Sequence, residues 1–233
     1  GDVSGDGKPD LVTANDSDTV SVLLGDGLGG FGANTEFAVG QSPGSIAIGD
    51  LNGDGKPDLV AAHEYSMTVS VLLGDGAGGF GANTDFAIGS APYSVAIADV
   101  SGDGRADLVT ANRAIDKVSV LLSSGAGGFG ANAQFPTGSV PYSVAIGDVN
   151  GDGKPDLATA NGNDSTVSVL LGDGLGGFGT KTDFATGGFP QSVAIGDVNG
   201  DGKPDLVTAN TSASTVSVLL GNGAGGFGGK TDF

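Results

Sequence analysis

The 233 residues include 27 Asp and Glu against nine Lys and Arg, a formal net charge of −18, and 46 glycines. So acidic a chain, without a basic stripe, lacks the electrostatic footprint for DNA or RNA. No apolar run approaches the ~20 residues that span a bilayer as a helix. The absence of cysteine rules out disulfides and thiol redox chemistry.

The first element is an acidic loop, Asp2-Val3-Ser4-Gly5-Asp6-Gly7-Lys8-Pro9-Asp10, and near-copies begin at Asp50, Asp99, Asp148 and Asp197. Positions 1, 3, 5 and 9 carry Asp2, Ser4, Asp6, Asp10; Asp50, Asn52, Asp54, Asp58; Asp99, Ser101, Asp103, Asp107; Asp148, Asn150, Asp152, Asp156; and Asp197, Asn199, Asp201, Asp205. Calcium takes about 6–8 oxygen ligands at roughly 2.3–2.6 Å, so alternate side chains and one carbonyl of a tight loop must converge. The carbonyl is expected from position 7, Lys8, Lys56, Arg105, Lys154 or Lys203, with that side chain pointing to water. A solvated turn needs one or two such residues; three aspartates at fixed offsets repel unless a cation offsets their charge. Up to five Ca²⁺ per chain are therefore expected, and no other cofactor. The helix-flanked calcium loop does not fit, since strand-like residues follow and no Glu stands at position 12. Fifteen of the 27 acids lie in the loops, and five Ca²⁺ would bring −18 to −8.

The first aspartates are 48, 49, 49 and 49 residues apart, a blade-sized period. The fold class predicted is all-β: one β-propeller over 1–233, with repeats at about 1–40, 41–89, 90–138, 139–187 and 188–233. Between Ser143 and Gly188 the strands read Ser143–Ile146 (A), Asp156–Ala160 (B), Thr166–Leu171 (C) and Thr182–Ala185 (D), each bounded by Gly, Asn, Asp or Pro. The small and β-branched alternation of strand A recurs at Ser45–Ile48, Ser94–Ile97 and Ser192–Ile195 and suits crowded strands near an axis. The calcium loops then join A to B. Strand C runs into Gly172-Asp173-Gly174-Leu175-Gly176-Gly177-Phe178-Gly179, read as a tight C–D turn rather than a phosphate loop, because no helix follows. Phe31, Phe80, Phe129, Phe178 and Phe227 are expected to plug the core beneath it, and Phe37, Phe86, Phe135, Phe184 and Phe233 to pack strand D.

The loop Asp197–Asp205, the following Leu206-Val207 and the turn Gly225-Gly226-Phe227-Gly228 together resemble the FG-GAP/VCBS-type repeats, a family that includes integrin α-subunit propellers and many bacterial secreted proteins. The resemblance spans essentially the whole chain. It implies propeller blades with calcium in the A–B loops on one face and ligands often on the opposite face.

Counting strands gives nineteen, one short of five full blades, because the first repeat lacks its inner strand A. That strand is expected from residues after Phe233, or the repeats belong to a larger ring. The chain opens in mid-motif, as an excised or incompletely traced piece would.

The A–B and C–D loops should share the calcium face, and the B–C and D–A loops the other, where the repeats diverge. Tyr65, Tyr93, Arg113 and Tyr142 are the candidate ligand-face residues there, with His63 expected as a surface loop residue. Without cysteine, with one His and with scattered carboxylates, no catalytic group can be assembled. The function expected is a non-catalytic binding or adhesion module for a glycan or protein, without nucleic acid or membrane insertion; self-assembly stays open. The alternatives are a structural unit of a surface adhesin or fibre, or an accessory domain of a secreted hydrolase. Calcium loops of about 10⁻⁴–10⁻³ M affinity suit a secreted or cell-surface setting.

Overall fold

The computed structural model describes all 233 residues, and every regular element in it is a β-strand. The first sheet holds β1 (Leu11–Asn15), β2 (Thr19–Leu23) and β3 (Thr35–Ala38). Four antiparallel sheets of four strands follow. They are β4 (Pro43–Gly49), β5 (Asp58–His63), β6 (Thr68–Leu72) and β7 (Thr84–Ala87); β8 (Pro92–Ala98), β9 (Asp107–Asn112), β10 (Lys117–Gly125) and β11 (Gly128–Pro136); β12 (Pro141–Gly147), β13 (Asp156–Asn161), β14 (Thr166–Leu170) and β15 (Thr182–Ala185); β16 (Pro190–Gly196), β17 (Asp205–Asn210), β18 (Thr215–Leu219) and β19 (Thr231–Asp232). The nineteen strands and the absent inner strand of the first sheet are those expected from the repeat.

The core lies between sheets, because strands covered on both faces send alternate side chains to opposite neighbours. In the fourth sheet the register sets Ala158 against Val169 and Ala160 against Val167 on one face, and Leu157 against Leu170 on the other. The Ala and Val face packs with Val193, Leu206 and Leu219 of the fifth sheet. The Leu face packs with Val109, Ala111, Val118 and Val120 of the third. Small residues on one blade thus receive leucines of the next, and each fully buried Leu contributes about 1.5–3 kcal/mol.

The junctions share further contacts. The strand D Phe of one blade meets the turn Phe of the next edge to face, in the pairs Phe37–Phe80, Phe86–Phe129, Phe135–Phe178 and Phe184–Phe227, with centroids 5.1–5.4 Å apart. The turn phenylalanines therefore plug junctions rather than their own blades. Phe31 and Phe233, which have no such partner, are 45% and 76% exposed. Leu24 lies on Gly78 of the next blade so closely that a Cβ there would meet its Cδ2 at 2.7 Å, and Gly78 also has φ +84°.

Toward the B–C loops the same interface becomes polar. Thr159 Oγ1 donates to Asn161 Oδ1 (3.0 Å), Asn161 Nδ2 donates to Ser168 Oγ (2.8 Å), and Ser168 Oγ donates to Asp183 Oδ1 (2.6 Å). Ser168 also accepts from Gly138 N (2.8 Å), which ties the entering D–A loop to the blade. All these side chains except Asp183 are buried, so the network satisfies groups that would be costly unpaired.

His63 overturns the expectation of a surface residue. It ends β5 at the position of Asn112, Asn161 and Asn210 and is 0% exposed. Its Nε2 lies 2.8 Å from Ser70 Oγ, and Ser70 gives its one proton to Asp85 Oδ1 (2.5 Å), so Nε2 carries the hydrogen. Nδ1 is left without a partner, because the Thr that serves Asn161 is here Ala61. Burial holds the imidazole below its ordinary pKa of 6.5. The folded state therefore resists protonation, and stability present above pH ~6.5 is lost as pH falls through that value toward the depressed folded one. Replacing His63→Asn with Ala61→Thr should add about 0.5–1.5 kcal/mol by completing the network. It should also remove this acid-side loss, which thermal melts from pH 7.5 to 5 would check; parallel curves for both proteins would refute the assignment.

Candidate functional site

The five acidic loops repeat one hydrogen-bond pattern around their first aspartate, and differ at position 3, where Ser4 and Ser101 donate to Asp2 and Asp99 while the Asn of the other loops accepts a backbone amide. In the fourth, Asp148 Oδ1 accepts from Gly151 N (2.7 Å) and Oδ2 from Gly153 N (2.8 Å), while Asn150 Oδ1 accepts from Asp152 N (2.8 Å). Asp152 Oδ1 accepts from Lys154 N (3.0 Å). Gly151 and Gly153, at φ +78° and +80°, allow the chain to curl around the Asp148 carboxylate. Asp156 begins β13 wholly buried, with Oδ2 accepting from Val149 N (2.9 Å) and Oδ1 from Gly172 N (2.8 Å). It ties the A–B loop to the C–D turn and so places both on one face.

The position 7 side chains do not simply point to water. Lys8, Arg105, Lys154 and Lys203 reach back to Asp6, Asp103, Asp152 and Asp201 at 3.1–3.8 Å. Their stems also cover the adjoining turn; a Cβ on Gly174 would meet Lys154 Cδ at 3.1 Å.

As placed, no three acidic or His side chains converge on a point that could hold a metal ion. The donor set still fits a hard cation, being all oxygen and strongly negative. Burial pushes the Asp58 and Asp156 carboxyls above their ordinary range. The nearby carboxylates of Asp54 and Asp50, and of Asp152 and Asp148, push the same way. Anionic groups gathered against that penalty are what a divalent ion would relieve.

The C–D turns use their Asp differently. Asp75 Oδ1 accepts from Ala77 N (2.7 Å) and Gly79 N (3.0 Å), and these bonds hold its carboxyl below the ordinary range; Asp173 does the same with Leu175 and Gly177. These are turn caps.

On the opposite face, the register slips between the Pro and Ser of each complete inner strand, so the intervening residue bulges out of the ladder. That residue is Tyr93 in β8 and Tyr142 in β12, against Gly44 and Gln191 in β4 and β16. The two Tyr rings meet edge to face with centroids 5.0 Å apart, and Phe189 lies 5.3 Å from Tyr142. The Arg113 guanidinium sits 5.7 Å and 5.3 Å from the Tyr93 and Tyr142 centroids. Its Nη1 is 3.2 Å from Glu64 Oε1. A Cβ on Gly162 would meet the Tyr142 ring at 2.6 Å, so glycine there makes room for the cluster.

The structure thus unites Tyr93, Arg113 and Tyr142 with Glu64 and Phe189. Tyr65 stands apart, 71% exposed, outside these aromatic pairs. Glu64 was traceable in the sequence, since it and Arg113 occupy the same place after strand B in adjacent repeats with opposite charge.

Comparison with known proteins follows the same repeat. The profile described as FG-GAP-like repeat matches residues 2–61, 50–110, 102–159 and 148–208, and that described as FG-GAP repeat matches 189–228. No curated protein matches the sequence. Among solved structures, an Agrocybe aegerita lectin described as recognising non-reducing terminal N-acetylglucosamine is 22% identical, with 99% of this chain on 64% of that one and a TM-score of 0.64. A putative 6-phosphogluconolactonase from Bacteroides uniformis is 19% identical, with 97% on 68% and a TM-score of 0.72. The biofilm matrix protein Bap1 of V. cholerae is 18% identical, with 100% on 38% and a TM-score of 0.52. The chain spans about two thirds or less of the length of these structures. At such identities they show the fold alone; the repeat matches, covering most of the chain, carry the further conclusion that it belongs to the FG-GAP-like repeat family.

Proposed function

We propose that the chain is a calcium-stabilised, non-catalytic binding module that works at or outside the cell surface and takes a glycan or protein on its B–C and D–A loop face. The observation that carries this reading is the Glu64–Arg113–Tyr93–Tyr142–Phe189 cluster. It stands where the repeats diverge on a rigid scaffold, the usual place for grafted specificity, and it uses residue types enriched at binding hot spots. Likeness to a structure described as an N-acetylglucosamine lectin supports a saccharide partner.

The acidic loops would hold calcium through Asp, Asn or Ser side chains and the position 7 carbonyl. Bound there, the ion would supply positive charge that offsets carboxylate repulsion and stiffens the face opposite the cluster. A structural unit of an adhesin or fibre is the second reading, supported by likeness to the biofilm matrix protein Bap1.

Replacing Tyr93, Arg113 and Tyr142 together by Ala should abolish partner binding. It should lower stability by about 1–3 kcal/mol through the lost aromatic and cation–π contacts, with calcium stoichiometry unchanged. A glycan array and a matrix-protein pull-down on both proteins decide this. Equal binding by the variant would overturn the face assignment, and a wild type that binds in neither assay would favour the structural reading.

A further inference from the structure

The aromatic cluster carries one charge of each sign, and both members of that pair stay partly open. Glu64 Oε1 lies 3.2 Å from Arg113 Nη1, with 39% of the Arg113 side chain and 25% of the Glu64 side chain exposed. This single contact leaves the second carboxylate oxygen and the other guanidinium N–H groups available to a ligand. The position after strand B is Asp16, Glu64, Arg113, Gly162 and Thr211 in the five repeats, so an acid and a base adjoin only here.

The platform around the pair is already fixed. Arg113 N donates to Ala91 O (3.1 Å), Gly162 N to Val140 O (3.0 Å) and Thr211 N to Phe189 O (3.0 Å). In three successive blades the D–A loop is thus tied to the B–C loop beside it, and binding there costs little ordering. Charge then decides what is accepted. The B–C loops also hold Asp16, Asp18, Asp116 and Asp164, with Lys117 the further cation at their edge, so the face is net negative. A ligand carboxylate seated on Arg113 at about 2.8 Å would lie well inside the ~8 Å screening length of Glu64. Repulsion between the two would not be screened away.

We infer that the site takes neutral saccharides through the Glu64–Arg113 pair and that Glu64 excludes acidic ones, an assignment that rests on the binding face proposed above. A sugar hydroxyl both donates and accepts. One hydroxyl can therefore donate to the Glu64 carboxylate while its neighbour accepts from the Arg113 guanidinium, and neither charge loses its partner. The C–H face of the sugar would rest on the aromatic side chains, which bring large apolar area. A uronate or sialic acid would instead compete with Glu64 for Arg113 and leave one carboxylate unpaired, the kind of repulsive element by which a site discriminates.

The probes are glycans presented as neutral and acidic forms of one backbone: N-acetyllactosamine and its sialylated form, mannan and mannuronan oligosaccharides, and methyl-esterified and free galacturonan. The wild type should bind neutral members about tenfold or more tightly than their acidic partners, the scale of one charge-assisted hydrogen bond. Glu64→Gln should abolish or invert that ratio, and Glu64→Asp, which keeps the charge, should preserve it. A wild type that prefers the acidic member, or that binds a protein but no glycan, overturns the inference and leaves the binding face standing; so does a ratio unchanged in Glu64→Gln. Glycan binding that survives Ala at Tyr93, Arg113 and Tyr142 overturns the face and the inference together, as does a wild type that binds nothing. Because the wild-type ratio alone can overturn it, misfolding of a variant cannot shield the inference.

Discussion

Chelation of calcium is expected to lower the melting temperature by about 15–25 °C. With ~1 mM free Ca²⁺ and a Kd of ~0.1 mM, each loop contributes about 1.4 kcal/mol, and five independent loops about 7 kcal/mol. That rivals the whole stability of an ordinary domain, about 5–15 kcal/mol. For a chain of this size each kcal/mol moves the midpoint by about 2–4 °C. The structural basis is the buried fourth-loop Asp156 and its second-loop counterpart Asp58, whose ionised forms burial disfavours and neighbouring carboxylates disfavour further. A divalent ion bound by the folded loops would relieve both effects, whereas the unfolded chain does not hold these carboxylates together. Calorimetric melts with calcium and with excess chelator test this, and an unchanged midpoint would sink the calcium assignment.

The second large effect separates a metal role from a structural one within a single loop. Asp156→Ala should destabilise the chain by about 1–4 kcal/mol even in chelator, because it strips partners from the buried Val149 N, at about 1–3 kcal/mol, and from the part-buried Gly172 N, at less. Asp152→Ala, four residues earlier, removes an exposed carboxylate whose contacts are the Lys154 amide and ammonium. In chelator its melt should match the wild type closely, while calorimetric titration in calcium should show one fewer ion per chain. If both variants melt alike in chelator, Asp156 does not tie the loop to the turn. If Asp152→Ala keeps full stoichiometry, the loop does not bind as proposed.

Much of this architecture was legible before any coordinates because its signals are local and repeated. The acidic loops, Asp-x-Asn-x-Asp-Gly-x-x-Asp or the same with Ser at the third position, the Gly-Gly-Phe turns and the strand patterns recur at a period of 48 or 49 residues, so each repeat checks the next. Even the inner strand missing from the first sheet followed from counting, as did the common face of the A–B and C–D loops.

His63 could not be placed in that way. In sequence it opens a polar B–C stretch, and only the register, with His63 opposite Thr68 at the end of β5, shows that it replaces a buried Asn. The aromatic cluster was half legible. The Pro-Tyr pairs at Tyr93 and Tyr142 stood out, whereas their meeting with each other, Arg113, Glu64 and Phe189 depends on where neighbouring blades bring bulged inner strands.

By itself, then, the sequence determined the strands, the turns and the repeat unit, because backbone propensity and turn chemistry act over a few residues. Only the tertiary structure decided what lies between blades: which Phe meets which, which Ala face receives which Leu face and why His63 is buried. Those pairings join residues roughly 50 positions apart, and their energies depend on the packing of one sheet against the next, which no single repeat encodes alone.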